Sequence, residues 1–198
     1  MKLKDLFTYI AFLHKFNTVE RTVKTSGKNG LESDAEHSYQ LALVAWYITE
    51  KLNLNLDRPL LLEYALVHDL VEIYAGDTDP HKHLKEFIGS KDERERRALK
   101  KIEKKFPDFK SLHNTLQKYE ELNDRESRFV YLVDKILPVM NTYLAHDSYY
   151  SVNNVSYEKW KAWLETKRVK ANFDDPAFDE LLNKLADFLS KIEKGFFG

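Results

Sequence analysis

Cysteine is absent from the 198-residue chain. Disulfides and thiolate metal sites are therefore excluded, and any bound metal must be held by histidine, aspartate and glutamate. The absence also fits a reducing compartment. A basic excess is missing too, because 31 Lys and Arg residues face 32 Asp and Glu residues, giving a net charge of -1. This balance argues against general binding to nucleic acid or to an anionic membrane.

Long apolar runs are also lacking. No stretch approaches the roughly 20 apolar residues that a membrane-spanning helix needs. The N-terminal "MKLKDLFTYIAFLHKF" contains lysines, but Asp5, His14 and Lys15 interrupt its apolar residues and no small-residue cleavage site follows. We therefore expect a soluble, cytoplasmic protein without a signal peptide.

Strand signals are nearly absent, and the hydrophobic periodicity is helical almost throughout. The first predicted helix has Leu3, Leu6, Phe7, Ile10 and Leu13 on one face, the second runs from a capping box at Ser33 and Glu36 to about Leu54, and the third covers 58–75 and ends near Gly76. A solvated, charge-rich helix over 90–106 is anchored by Leu99 and Ile102, and a long helix over 124–146 has Pro138 as a candidate kink. An amphipathic helix over 178–192 is the last predicted element. The length suits one domain. We predict an all-α fold, a single domain over 1–198, with a core at about 20–145 and C-terminal helices at 155–195 packing on it.

The third predicted helix carries an unusual number of titratable groups in "YALVHDLVEIYAGDT", residues 64–78. In a continuous helix, His68, Asp69 and Glu72 project into one 100° sector among apolar residues. Buried charge at such a position needs a counter-ion or hydrogen bonds. A divalent cation meets this need, because imidazole and carboxylate together suit first-row metals. A partly exposed polar face explains this helix equally well.

Two further residues are out of place in apolar helices. Asp134 lies in "FVYLVDKILPVM", where Lys135 is not expected to pair with it because adjacent helical residues point apart. Asp134 is thus predicted to be a metal ligand or a buried partner of an arginine. His37 precedes "LALVAW", and the capping box does not account for it. Taken alone, it is more often a core residue than a ligand.

Together these residues resemble a known family. His37, the doublet His68-Asp69 and Asp134 follow the H…HD…D order of the HD-domain metal-dependent phosphohydrolases. The stretch "HDLVEIYAGD" resembles the HDxxExxxGD form of the bacterial 5′-deoxynucleotidase branch and its archaeal and eukaryotic relatives, and "SDAEHS" and "LVDKI" resemble flanking elements of that branch. The resemblance spans about 20–140.

The resemblance implies a metal site and its catalytic neighbours. His37, His68, Asp69 and Asp134 would bind one divalent metal ion (Mn, Co, Zn, Mg or Fe), with open positions left for water and a phosphate oxygen. Glu72 would act as general acid or base. Asp77 would be a second catalytic carboxylate, although a turn residue in "GDTDP" is the alternative reading.

Phosphate binding requires a cation, and the resemblance places an arginine upstream of the first histidine. Arg21 is the best match, because a guanidinium can bind phosphate through two hydrogen bonds. Lys24 and Lys28 are candidate helpers or simply solvated lysines. The family's tryptophan after this arginine is missing, with Thr22 and Val23 in that region. Preference for deoxyribose over ribose is therefore open. "SGKNG" lacks the glycine spacing of a P-loop.

The predicted function is a metal-dependent phosphomonoesterase that converts nucleoside 5′-monophosphates, above all deoxyribonucleotides, to nucleoside and phosphate. A phosphodiesterase or triphosphohydrolase acting on another nucleotide is one alternative, and a helical binding protein with a structural metal is another. The substrate is a small nucleotide, with no nucleic-acid or membrane partner. The resemblance implies a homodimer, for which the aromatic C-terminal helix is a candidate interface.

Several other features are interpreted as structural. They are the second HD doublet at His146-Asp147, the histidines of "HKH" at 81–83, His14, His113, and the tryptophans Trp46, Trp160 and Trp163 as core or interface residues.

Overall fold

Helices make up most of the chain in the computed structural model, which describes residues 2–24, 30–77 and 90–198. The elements are α1 Leu3–Phe16, β1 Glu20–Lys24, β2 Leu31–Ser33, α2 Asp34–Leu52, α3 Arg58–Val67, α4 Glu72–Ala75, α5 Lys91–Lys105, α6 Lys110–Glu120, α7 Arg125–Leu144, α8 Tyr149–Val152, α9 Tyr157–Ala171, α10 Pro176–Lys191 and α11 Glu193–Phe196. The predicted all-α class is confirmed. Among the described helices, none combines the length and the hydropathy of a membrane span.

The start of α2 is fixed by the capping box that the sequence predicts. The Glu36 N–H donates to Ser33 Oγ, and the Ser33 N–H donates to Glu36 Oε2 at 2.8 Å. Two donors at the helix start are thereby satisfied. The same arrangement begins α7, where Asp124 and Ser127 cap each other. Both helices carry candidate metal ligands, so their starting points matter for the site.

The helix predicted over 58–75 is wrong in one respect, because it is interrupted at residues 68–71. The Leu70 N–H donates to the Val67 carbonyl and the Glu72 N–H to the Asp69 carbonyl, which is three-residue rather than four-residue spacing. A physical reason is visible at His68, whose Nδ1–H donates to the Ala65 carbonyl at 3.0 Å. In a continuous helix that carbonyl would accept from the Asp69 N–H. The side chain therefore occupies the acceptor of the next helical bond.

A two-stranded antiparallel hairpin was not predicted. β1 pairs with β2 so that Glu20 lies opposite Ser33 and Lys24 opposite Leu31, with an irregularity between them. The strands are five and three residues long. Such short strands carry too little alternation to be recognised from sequence. The hairpin leads directly into α2 and positions Arg21 beside it.

Two buried clusters hold the elements together. The larger joins side chains of α2, α3, α7, α9 and α10, and the smaller joins α1, the turn after α3, α5 and α6. α7 packs against α2, α3, α6 and α9. Phe178 and Leu182 of α10 are buried in the same cluster as Phe129 of α7. The C-terminal helices thus share the core that surrounds the site.

The apolar face predicted on α1 is largely exposed in this single chain. Leu3 and Phe7 are more than half exposed, while Phe12 and Phe16 are buried. α2 also presents an exposed apolar face, formed by Tyr39, Leu43, Trp46 and Tyr47. Exposed apolar side chains are therefore more prominent on α1 and α2 than on the C-terminal helix named as candidate interface.

Candidate metal centre

The four predicted metal ligands come together from three separate segments. His37 lies in the first turn of α2, His68 and Asp69 in the turn after α3, and Asp134 in the middle of α7. His37 Nε2 lies 2.8 Å from Asp134 Oδ1, and His68 Nε2 lies 2.9 Å from Asp69 Oδ2 and 3.8 Å from Asp134 Oδ1. Adjacent ligand atoms around a six-coordinate first-row metal are separated by about 3 Å when each bond is about 2.1 Å. The donor spacing therefore suits one cation.

The hydrogen bond of His68 prepares its other ring nitrogen for a metal. A carbonyl oxygen can only accept, so the contact to Ala65 places a proton on Nδ1. In the neutral ring, the lone pair is then on Nε2, which faces the carboxylates. Metal-bound histidines generally use their second nitrogen in this way, and the bond fixes both tautomer and ring orientation.

Unsatisfied buried atoms gather at this site and support a cation there. Among the described residues, those without an aligned hydrogen-bond partner include His68 Nε2, Glu72 Oε2, Asp34 Oδ2 and Glu32 Oε2. Buried polar atoms normally have hydrogen-bond partners, because a buried donor or acceptor without one destabilises the folded state by on the order of 1–3 kcal/mol. Nitrogen and carboxylate donors without thiolates are the set that Mn, Co, Fe, Mg and Zn share. The residues present thus fit a divalent cation.

Arg21 lies directly beside the ligands. Its Nη1 donates to Asp69 Oδ2 at 2.7 Å, and Nη2 lies 4.0 Å from Asp134 Oδ1. The side chain is only 12% exposed. Although burial opposes the shift, His68 and Arg21 lower the pKa of Asp69. The guanidinium is thus held next to the centre, where a phosphate bound to the cation would meet it.

Glu72 and Asp77 occupy the neighbouring wall. Glu72 is buried, and burial followed by the Asp69 carboxylate raises its pKa well above the ordinary value. Asp77 hydrogen-bonds Glu72, and burial raises the pKa of Asp77 as well. Lys91 Nζ from α5 lies 3.6 Å from Glu72 Oε1. These two carboxyl groups are therefore placed to share and exchange protons.

Three nearby acids and bases were not predicted as site residues. Glu32 and Asp34 are fully buried at the hairpin and the start of α2, and both face Arg21 at 3.5 Å. Burial and the Asp69 carboxylate raise the pKa of Asp34 to about 8. Asp34, Asp69 and Glu72 also form a second group whose oxygens could hold a cation. Lys91 sits on the charge-rich helix α5 and also pairs with Glu95, which lines the same cavity.

The prediction that Lys135 would not reach Asp134 is wrong. Lys135 Nζ donates to Asp134 Oδ2 and lies 5.0 Å from the centroid of the Tyr131 ring. The long lysine stem curls back across its own helix turn, which the directions of the Cα–Cβ bonds alone do not forbid. Burial opposes the shift, but Lys135 and His37 lower the pKa of Asp134 well below its usual range. Asp134 therefore stays an anionic donor.

A cavity of about 470 Å³ opens onto the centre. Its lining includes Arg21, Glu72, Asp77, Thr22, Val23, Tyr131, Lys135, Trp163, Lys167 and Lys170. This volume lies within the range of small-molecule sites. Trp163 therefore lines the cavity and is not only a core or interface residue, whereas Trp160 is fully buried as expected and Trp46 is partly exposed.

The remaining candidates lie elsewhere. Asp147 pairs with Lys24 at 3.6 Å, His146 adopts a left-handed conformation just after α7, and neither residue lines the cavity. Lys24 is thereby engaged away from the ligands. Lys28 and the histidines at 81–83 fall outside the described residues.

Comparison with known proteins identifies the domain family of the chain. The model of the HD domain matches residues 13–174. A 5′-deoxynucleotidase HDDC2 from Mus musculus is 34% identical over 106 residues, which is 52% of this chain and 51% of the relative. The Homo sapiens protein of the same name is also 34% identical, over 52% of this chain and 50% of its own. The matched region spans about half the length of these relatives.

Solved structures share the fold. A predicted metal-dependent phosphohydrolase from Magnetospirillum magnetotacticum has a TM-score of 0.77 at 24% identity, covering 98% of both chains. An HD-domain phosphohydrolase from Listeria innocua has a TM-score of 0.65 at 17% identity, covering 96% of this chain and 92% of its own. The family match covers most of the chain, and the ligand order of the motif converges in space. The chain belongs to the HD-domain family.

Proposed function

We propose that the protein is a phosphomonoesterase that hydrolyses nucleoside 5′-monophosphates, with deoxyribonucleotides as preferred substrates, to nucleoside and phosphate. One observation carries this proposal: Arg21 touches the same carboxylate, Asp69, that belongs to the metal-ligand group. A monophosphate with one oxygen at the cation would thus meet a guanidinium at once. The name of the mammalian relatives supports the nucleotide as substrate class.

We propose His37, His68, Asp69 and Asp134 as the residues that hold one divalent ion. When bound, the cation polarises the phosphoryl group and lowers the pKa of water, which is the chemistry it supplies to such sites. Lys135 keeps Asp134 oriented through its ion pair. The Nδ1 bond of His68 keeps that ring in place.

The chain's own residues would then bind the substrate and move protons. Arg21 stabilises the charge that develops on the phosphoryl oxygens in the transition state. Glu72, whose raised pKa favours a bound proton, delivers that proton to the departing sugar oxygen, or takes one from water. Asp77 hydrogen-bonds Glu72 and positions it. Val23, Pro138 and the tyrosines of the cavity exclude bulk water from this step.

We further propose that the whole chain acts as one domain, in the cytoplasm, as a homodimer. The shared core of α7 and α10 supports a single folding unit. The exposed apolar faces of α1 and α2 are the surfaces that a second copy would cover. Light scattering tests the dimer: a mass of one chain, 23.4 kDa, would contradict it.

A substrate panel tests the function. The metal is stripped, Mn, Co, Mg or Zn is restored, and phosphate release is followed with nucleoside mono-, tri- and cyclic phosphates in ribose and deoxyribose forms. We expect metal-dependent release from monophosphates, with deoxyribonucleotides faster. Turnover confined to triphosphates or cyclic phosphates would contradict the assignment, and no turnover with any metal would favour a binding protein.

A further inference from the structure

A second group of cations lines the cavity on the side of α9. Trp163, Lys167 and Lys170 are spaced by four and three residues, so they share one face of this helix. All three line the cavity, together with Lys135 of α7. α9 packs directly on α7. The proposed monophosphatase reaction uses none of the α9 residues, so this face calls for a separate explanation.

The aromatic rings give the position of these lysines relative to the metal centre. Lys135 Nζ pairs with Asp134 and lies 5.0 Å from the centroid of the Tyr131 ring. Lys170 Nζ lies 5.3 Å from the same centroid. On α9, Lys167 Nζ lies 5.4 Å from the centroid of the Trp163 ring. The Tyr131 ring therefore lies between the metal centre and α9, with Lys135 on one element and Lys170 on the other both within about 5 Å of its centroid.

The charge around Lys167 is unbalanced. Arg21 pairs with Asp69, Lys91 with Glu72 and Glu95, and Lys135 with Asp134. Lys170 is attracted to Glu120, whose pKa is raised to about 7 by burial, an increase that Lys170 partly offsets. For Lys167, no ion pair is found within the described parts of the chain. Burial and the positive charges of Lys135, Lys170 and Lys91 lower its pKa.

A half-buried ammonium held among like charges is unfavourable, since both desolvation and repulsion disfavour the charged form. Natural sites accept such a cost where a ligand of opposite charge relieves it. The ligand here must be an anion that fits beside an aromatic wall. A phosphate group meets both conditions, because lysine binds phosphate as a point charge.

We propose that Lys167 and Lys170, beside Trp163, form a second anion subsite that binds a second phosphate on the substrate. This rests on the proposed function and narrows the substrate class to nucleoside bisphosphates. The 5′-phosphate sits at the metal centre, where water adds to phosphorus and the bond between phosphorus and the 5′-oxygen breaks. The products are inorganic phosphate and a sugar 5′-hydroxyl, which takes up the proton from water. The 3′-phosphate of the same sugar is assigned to the α9 lysines, because the two phosphates leave the sugar from different carbons and Lys167 and Lys170 line the same cavity as the metal centre.

Steady-state kinetics of the full-length, metal-loaded protein test the subsite. The probes are deoxyadenosine 5′-monophosphate and deoxyadenosine 3′,5′-bisphosphate, with products separated by chromatography. We expect the wild-type KM for the bisphosphate to be about tenfold lower. Lys167→Met, which keeps the apolar stem, should raise that KM about tenfold with kcat unchanged, and alter the monophosphate KM less than twofold. Equal wild-type KM values, or parallel changes for both substrates, would overturn the proposal.

Lys161→Met is the matched control. Lys161 lies on the same helix, and its Nζ lies 5.7 Å from the centroid of the Tyr157 ring, but it does not line the cavity. Its replacement should change neither KM. An effect as large as that of Lys167→Met would mean that net charge, rather than a subsite, is responsible, and would overturn the proposal.

Calorimetry separates this proposal from the proposed function. In metal-loaded Glu72→Gln protein, the bisphosphate should bind about tenfold more tightly than the monophosphate, and Lys167→Met should abolish the difference. If neither substrate is turned over by the wild type but this difference is found, the subsite stands and the phosphatase function fails. If the monophosphate is turned over and no difference is found, the subsite fails. A Lys167-dependent gain for the nucleoside 5′-diphosphate instead would overturn the 3′ assignment.

Discussion

At the residue scale, His68 explains both the shape and the chemistry of the site. One hydrogen bond, from Nδ1 to the Ala65 carbonyl, removes the acceptor of the next helical bond and leaves Nε2 facing the carboxylates. The sequence motif predicted His68 and Asp69 as ligands, but the periodicity predicted that both lie in a continuous helix over 58–75. The turn could not be predicted from periodicity, because the apolar spacing continues through it.

Glu72 should matter for turnover and not for metal binding. In Glu72→Gln, the amide cannot hold or release the proton that the leaving oxygen or water requires. We expect kcat to fall about 100- to 10,000-fold. Metal content, measured by atomic emission, should stay unchanged because the proposed ligands are intact. Loss of the metal together with activity would show that Glu72 is a ligand, contrary to its proposed role.

Asp34 should make the metal-free protein less stable as pH rises. Its folded pKa of about 8 lies above its ordinary value of 3.8, so the folded state binds more protons between these values. The free energy of unfolding therefore decreases as pH rises through this window. His68, with its pKa raised to about 10 by Asp69 and Asp134 against the effect of burial, adds a further decrease above its ordinary value of 6.5.

The variant Asp34→Asn isolates the contribution of Asp34 to the pH dependence of the free energy of unfolding. Urea unfolding in the presence of a chelator should show that the variant gains stability relative to the wild type between pH 5 and pH 8, by on the order of 1–3 kcal/mol. At pH 4 the relative gain should be small. A difference between variant and wild type that is the same at pH 5 and pH 8 would contradict the raised pKa.

At the element scale, three of the four proposed ligands lie next to a helix end, with His37 in the first turn of α2 and His68 and Asp69 just after α3. α2 begins at the capping box of Ser33 and Glu36, which lies one turn before His37. That boundary, the long helix α7 and the amphipathic α10 were predicted well because they combine strong caps with long apolar periodicity. The hairpin that carries Arg21 was not predicted, since its strands have too few residues to reveal a period of two.

Ser33→Ala should therefore weaken both folding and metal binding. Loss of the cap should lower the free energy of unfolding by about 1 kcal/mol. Because His37 lies in the first turn of the same helix, fraying there should also weaken Mn²⁺ affinity severalfold in calorimetry. Ser156→Ala removes the equivalent cap of α9, which carries no proposed metal ligand. It should lower stability similarly and leave Mn²⁺ affinity unchanged; equal affinity losses in both variants would contradict the link.

At the scale of the whole molecule, the site depends on long-range packing. The proposed ligands lie on segments up to 97 residues apart, as in the contact between His37 and Asp134. Only the order of the motif pointed to these residues, because that order resembles the HD-domain family. Lys91 and the α9 lysines could not be found in this way, because only the packed helices bring them to the cavity.

A bound cation should therefore stabilise the whole fold. Since it links α2, the turn after α3 and α7, it binds the folded state in preference to the unfolded chain. At a metal concentration about 100-fold above Kd, stability should rise by about 2.7 kcal/mol. Calorimetric scans of the metal-stripped protein should show Tm rising by roughly 5–10 °C after Mn²⁺ is added. An unchanged Tm would mean that the segments are not joined by the metal.

The central claim is that residues from three segments form one metal site, and Mn²⁺ titration calorimetry tests it most directly. The metal-stripped wild type should show a tight site that is lost in His37→Ala and in Asp134→Ala. His146→Ala, from the second HD doublet, should bind as the wild type does. Retention of wild-type Mn²⁺ affinity in both ligand variants would contradict the account.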